Sequence, residues 1–67
     1  MDIGTTIKQR RSVLGISQID LSEFAEVGIS TVKDLERGKG NPSLQTLQKI
    51  LEALGMELEI KVRKTVK

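Results

Sequence analysis

The sequence predicts a mainly α-helical domain of four to five short helices, followed by a single C-terminal β-strand. Three observations carry that expectation. Apolar residues recur at three- and four-residue spacing in successive stretches between Ile3 and Leu54. Glycine-containing turns at Gly15, Gly28, Gly38–Pro42 and Gly55 separate those stretches. Beyond Gly55 the period changes to two, because Met56-Glu57-Leu58-Glu59-Ile60-Lys61-Val62-Arg63 alternates apolar and charged residues. The chain therefore divides into a helical domain over residues 1–55, a strand over 56–63 and a basic tail over 64–67.

The first helix is expected over about residues 2–14, with Ile3, Ile7 and Leu14 on one stripe and Gly15 closing it. Arg11 falls on the same stripe. A charge there needs a partner, since an unpaired buried ion costs several kcal/mol. Arg10, one residue away, points off the stripe, toward solvent or a phosphate. Ser17 is a natural N-cap for a second helix whose inner face carries Leu21 and Ala25. Phe24 sits at the edge of that stripe and is expected to pack against the first helix, the alternative being an exposed anchor for a partner. Glu26-Val27-Gly28 make a turn.

A third helix should run from about Ile29 to Arg37. At about 100° per residue, Val32 and Leu35 point inward while Ser30, Lys33, Asp34 and Arg37 gather on the opposite side. Ile29 lies at the edge of that outer face, and Glu36 borders the buried stripe, within reach of Arg11. Asn41 or Ser43 caps a fourth helix, with Pro42 in its first turn. Leu44, Leu47, Ile50, Leu51 and Leu54 line its inner face, and Gly55 stops it.

A lone strand has no ladder to join, so the alternating segment calls for a second chain. Antiparallel pairing about a two-fold axis through Ile60 sets Glu59 opposite Lys61, Glu57 opposite Arg63 and Leu58 opposite Val62. Parallel in-register pairing would stack like charges. Residues 56–63 are thus expected to join two protomers.

Composition narrows the function. The 67 residues include no cysteine and no histidine, which removes disulfides and the usual metal ligand sets. With neither residue and a core too small to shape a pocket, an enzyme is not expected, and no cofactor is implied. Apolar runs fall far short of the ~20 residues a bilayer needs, so the expectation is a soluble, cytoplasmic protein without a membrane partner. A net charge of +2 is only mildly basic. A single aromatic residue, Phe24, argues against single-strand or RNA binding by base stacking. The short turn between the second and third helices pushes the latter outward, the helix-turn-helix geometry in which the second helix of the motif enters the DNA major groove.

The residues then resemble a known family. Arg11, Gly15, Ser17-Gln18 and Leu21, then Ser30-Thr31-Val32 and Leu35-Glu36-Arg37-Gly38, are similar to the Cro/repressor-type (XRE) helix-turn-helix regulators, which have a lambda-repressor-like fold. Asn41-Pro42-Ser43-Leu44, Leu47 and Ala53-Leu54-Gly55 extend the match. The segment LGMELEIKV is similar to the C-terminal strand of HipB-like antitoxins.

The resemblance implies double-stranded DNA as partner, a homodimer on a palindromic operator, and autorepression of a toxin–antitoxin operon with a HipA-type kinase toxin. It implies that Gln18 contacts a phosphate, that Ile29, Ser30, Lys33 and Asp34 face base edges, and that Thr31 lies beside a phosphate. Arg37, Lys39 and Asn41 would track the backbone, and Arg11 and Glu36 would form a structural ion pair. Asp34 is compatible with three roles: accepting from cytosine N4, restraining Lys33 and Arg37, or repelling phosphate. Glu26 stands where the family often has Gly, and Gly28 where a Ser or Thr often caps the third helix. Two alternatives to the antitoxin reading are a regulator without a toxin and an interaction module that sequesters a partner protein.

Overall fold

The computed structural model describes residues 2–59 and residue 62. Within them the chain forms four α-helices: α1 (Ile3–Leu14), α2 (Gln18–Ala25), α3 (Ile29–Glu36) and α4 (Leu44–Ala53). Local chemistry sets most of the ends. Asp2 caps α1 by accepting from the Gly4 amide at 3.0 Å, and Gly15, in the left-handed region, closes it. Ser17 and Asp20 form a reciprocal capping box on α2: the Ser17 hydroxyl accepts from the Asp20 amide and the Asp20 carboxylate from the Ser17 amide, both at 3.0 Å. Ser43, rather than Asn41, caps α4 by accepting from the Thr46 amide at 3.1 Å. Pro42 consequently precedes the helix instead of occupying its first turn.

Ile7, Leu21, Ala25, Val32, Leu35, Ile50, Leu51 and Leu54 form one buried core. Ile16, Val27, Leu47, Ala53 and Met56 pack around it half-buried. α2 lies at the centre, against both α3 and α4, while α1 packs on α3. Full burial of a side chain such as Leu21 or Ile50 stabilises the fold by ~2 kcal/mol, so a few residues dominate.

The ends of the predicted stripes are less covered than expected. Ile3, Leu14 and Leu44 remain exposed, because each sits in a terminal turn beyond the reach of the neighbouring helix. Phe24 is 63% exposed and does not cover α1. Leu21 and Ala25, four residues apart, already define the buried line of α2, and Phe24 lies about 100° away from Ala25. It instead borders an open groove with Lys49, Glu52 and Ala53 of α4. Arg10 is also not solvent-directed: its Nε donates to the Leu54 carbonyl at 2.9 Å, tying α1 to the end of α4.

No β-strand occurs among the described residues. Met56, Glu57, Leu58 and Glu59 have no regular secondary structure, and a β-ladder needs a partner strand. Ile60, Lys61 and Arg63 of the expected strand, and the basic tail over 64–67, lie outside the described residues.

Candidate nucleic-acid interface

α3 presents two chemically different faces. Val32 and Leu35 are buried against the core. Ser30, Lys33 and Arg37 are exposed on the other side, with Thr31, Asp34 and Ile29 half-buried between them. Ile29 therefore sits at the seam between the two faces. The chain then turns through Gly38 and Gly40, which places Lys39 and Asn41 in the open beside the end of α3. The Lys39 amide donates to the Asp34 carbonyl at 2.8 Å, holding this loop against the helix. Thr31, Asp34, Lys39, Asn41 and Pro42 border one shallow pocket of ≈ 170 Å³. The sequence-selected residues from Thr31 to Asn41 thus form a continuous surface along α3 and its following loop.

The orientation of α3 is fixed from its C-terminal end. Arg11 grips Glu36 bidentately: Nε donates to Oε2 at 2.8 Å and Nη2 to Oε1 at 3.0 Å. The third guanidinium nitrogen, Nη1, donates to the Ile16 carbonyl at 3.0 Å. The Glu36 side chain is 3% exposed, so this is a desolvated pair. Burial pushes the Glu36 carboxyl upward, but hydrogen bonds from Arg11 and Gln18, with the charges of Arg11 and Lys8, more than offset it and hold it below the usual carboxylate range. The hydrogen bonds to Glu36 raise the Arg11 guanidinium in turn.

Gln18 occupies a double position. It is the first residue of α2, where the helix amides and dipole favour an anion, yet its Nε2 donates to Glu36 Oε1 at 3.1 Å. One of its two amide hydrogens is committed to the ion pair, leaving the other for a phosphate. Asp34 pairs with Arg37 through Oδ1 and Nη2, so the carboxylate restrains Arg37 specifically, and no bond joins it to Lys33.

Two supports of this surface, Gly4 and the reach of Gln18 to Glu36, have no signature in the sequence pattern that identifies the contact. Gly4 is buried where α1 meets the end of α3, and a Cβ there would stand 2.3 Å from the Leu35 carbonyl oxygen. A glycine inside a helical stretch signals such an approach without naming the partner. The Ser17–Asp20 capping box was readable, since an acidic residue follows the cap by three positions. Of the segment expected to join protomers, Glu57, Leu58, Glu59 and Val62 are exposed.

The HTH_3 family model, a helix-turn-helix, matches residues 7–61. The immunity repressor protein of Bacillus phage phi105 is 38% identical over 58 residues, covering 87% of this chain and 40% of the phage protein. The restriction-modification controller protein C.AhdI of Aeromonas hydrophila superposes with a TM-score of 0.79 at 32% identity, covering 84% of this chain and 85% of the controller. A chain from the SinR protein/SinI protein complex superposes with a TM-score of 0.76 at 39% identity over 82% of this chain and 54% of its own length. This chain thus spans about two-fifths of the phage repressor, which is the longer molecule.

Proposed function

The chain belongs to the HTH_3 helix-turn-helix family of Cro/repressor (XRE) type, and we propose that it is a DNA-binding transcriptional repressor acting as a homodimer. The observation that carries this reading is the outward face of α3, where Ser30, Lys33 and Arg37 stand exposed while the buried Arg11–Glu36 pair holds the helix from behind. An α-helix presented this way fits the major groove. Ser30 and Lys33, with Ile29 and Asp34 beside them, would meet base edges. Gln18, Thr31, Lys39 and Asn41 would meet the backbone, and phosphate contacts of that kind position rather than specify. Repression would be steric, by occupation of a promoter.

Dimerisation is assigned to residues 56–63. As an extended strand, the sequence would put Glu57, Glu59, Lys61 and Arg63 on one side and Leu58, Ile60 and Val62 on the other, and antiparallel pairing about Ile60 would match every charge with its opposite. Two recognition helices would then engage half-sites about one helical turn apart, ~34–36 Å, or a multiple of it. The resemblance of this segment to HipB-like antitoxins supports an autorepressor that also holds a HipA-type kinase toxin. A relative's structure in a complex of two proteins, SinR and SinI, supports a protein partner of some kind and keeps open the sequestering role.

One experiment addresses all of these. Affinity capture from the native host with sequencing of bound DNA should return the protein's own promoter, an inverted repeat and any toxin together. Binding to the recovered site should weaken steeply with added salt, as Lys and Arg displace counterions. Lys39→Ala should weaken every sequence alike, whereas Lys33→Ala should relax sequence preference. Recovery of a protein partner without any DNA would overturn the repressor reading in favour of sequestration.

A further inference from the structure

Asp34 is the only carboxylate on the outward face formed with Ser30, Lys33 and Arg37. Its side chain is 42% exposed and that of Arg37 63%, so the two heads stand at the surface as one acceptor–donor unit. The backbone beneath them is braced, since the Asp34 main-chain carbonyl accepts from the Lys39 amide at 2.8 Å at the end of α3. A carboxylate turned toward a polyanion destabilises binding unless it finds a donor. Arg37 takes Oδ1, and Oδ2 is left for a second donor.

The groove supplies few donors. Guanine presents O6 and N7 and thymine O4, all acceptors that would repel a carboxylate. Adenine offers its N6 amino group, but with the N7 acceptor beside it. Cytosine offers its N4 amino group with no acceptor on the groove edge of the same base. In a C·G pair that donor lies next to guanine O6, which accepts from a guanidinium. An acceptor joined to a donor on the protein thus meets a donor beside an acceptor on the base pair. We propose that Asp34 and Arg37 together read one C·G base pair in each half-site, Asp34 accepting from cytosine N4 and Arg37 donating to guanine. This rests on the placement of α3 in the major groove.

The test is selection of duplexes from a random-sequence library by wild type, Asp34→Ala, Asp34→Asn and Arg37→Gln, followed by titration of the selected duplex and its point variants. Both side chains lie outside the core, and thermal melting should show all four proteins folded. Wild type should select one C·G pair per half-site whose replacement weakens binding by ~5- to 150-fold. Asp34→Ala should flatten that position alone. Asp34→Asn should turn it toward A·T, since an amide pairs with adenine N6 and N7. Arg37→Gln should reduce the penalty for replacing the guanine. If Asp34→Ala instead tightens every sequence equally with the preference intact, the carboxylate only repels phosphate and the proposal fails. It fails equally if Arg37→Gln weakens all duplexes by one factor. A wild-type protein that selects no sequence would overturn the groove placement of α3 and this inference with it.

Discussion

The two ends of α3 are held by opposite means. At its C-terminal end, Arg11, Gln18 and Glu36 form a satisfied polar lock among three helices, and Gly4 lets α1 come into direct contact with the last carbonyls of α3. At its N-terminal end, the turn runs against local preference. Glu26 takes φ 55°, a left-handed conformation that costs a residue with a Cβ ~1–2 kcal/mol, and Gly28 gives α3 no side-chain cap. Both halves belong to one helix, yet only one is tightly specified. α1 and the core fix the direction of α3, which frees the turn to depart from its preferred chemistry.

Breaking the lock should have the largest effect. Glu36→Ala leaves the Arg11 guanidinium, 16% exposed, without its counter-charge, and loss of one partner of a buried pair costs about 3–5 kcal/mol. In so small a domain that approaches the whole stability, so urea titration should find the variant largely unfolded. Replacing Arg11 and Glu36 together by methionine should recover much of the loss, because the penalty lies in the orphaned charge. The lock also has a pH signature. The folded Glu36 carboxyl is held below its ordinary value, so its contribution is present above the unfolded carboxylate pKa, ~4.3, and is lost as pH falls through the folded value. Asp2, lowered by its hydrogen bonds to Thr5, acts with the same sign. Stability of the Arg11→Met/Glu36→Met double variant measured between pH 6 and pH 3 should therefore fall less than that of wild type. An equal fall in both proteins would remove Glu36 from the account.

Gly4→Ala tests the same end through packing. The new methyl would stand 2.3 Å from the Leu35 carbonyl oxygen and 3.0 Å from that of Glu36, so α1 and α3 must separate. Overpacking of this kind costs ~1–3 kcal/mol, against a gain of up to ~1 kcal/mol from alanine's better helix propensity. A net loss of up to ~2 kcal/mol should appear in the urea midpoint. A stabilised Gly4→Ala would mean that α1 approaches α3 less closely.

What was legible in the sequence follows the same division. Periodicity located the four helices, and phasing alone brought Arg11 and Glu36 within reach, because each falls on or beside a buried stripe where a charge needs a partner. The outward set of α3 emerged from the same phasing. Gly4 and Gln18 were not legible as supports, since a close helix approach and a reach from α2 to the end of α3 depend on crossing angles that no local pattern encodes. Phe24 and Leu44 show the limit of stripe reasoning, because a domain this small has too few helices to cover every apolar edge. The strand expectation shows another. Alternation over 56–63 suggests a strand, yet residues 56–59 take up no regular secondary structure, because apolar–polar alternation alone supplies no ladder hydrogen bonds.

The smallest effect should come from the turn, and it has the opposite sign. Glu26→Gly removes the Cβ that the left-handed conformation crowds, a relief of ~1–2 kcal/mol. Part of that is offset, because glycine raises the conformational entropy of the unfolded chain by ~0.4–1 kcal/mol. The variant should gain about 0.5–1 kcal/mol in urea unfolding. Glu26→Ala provides the control: it keeps the crowded Cβ and should gain nothing. If both substitutions stabilise equally, the benefit comes from removing the charge and not from backbone strain. If Glu26→Gly shifts stability by more than Gly4→Ala does, the turn governs the placement of α3 as strongly as the lock, and the asymmetry between its two ends disappears.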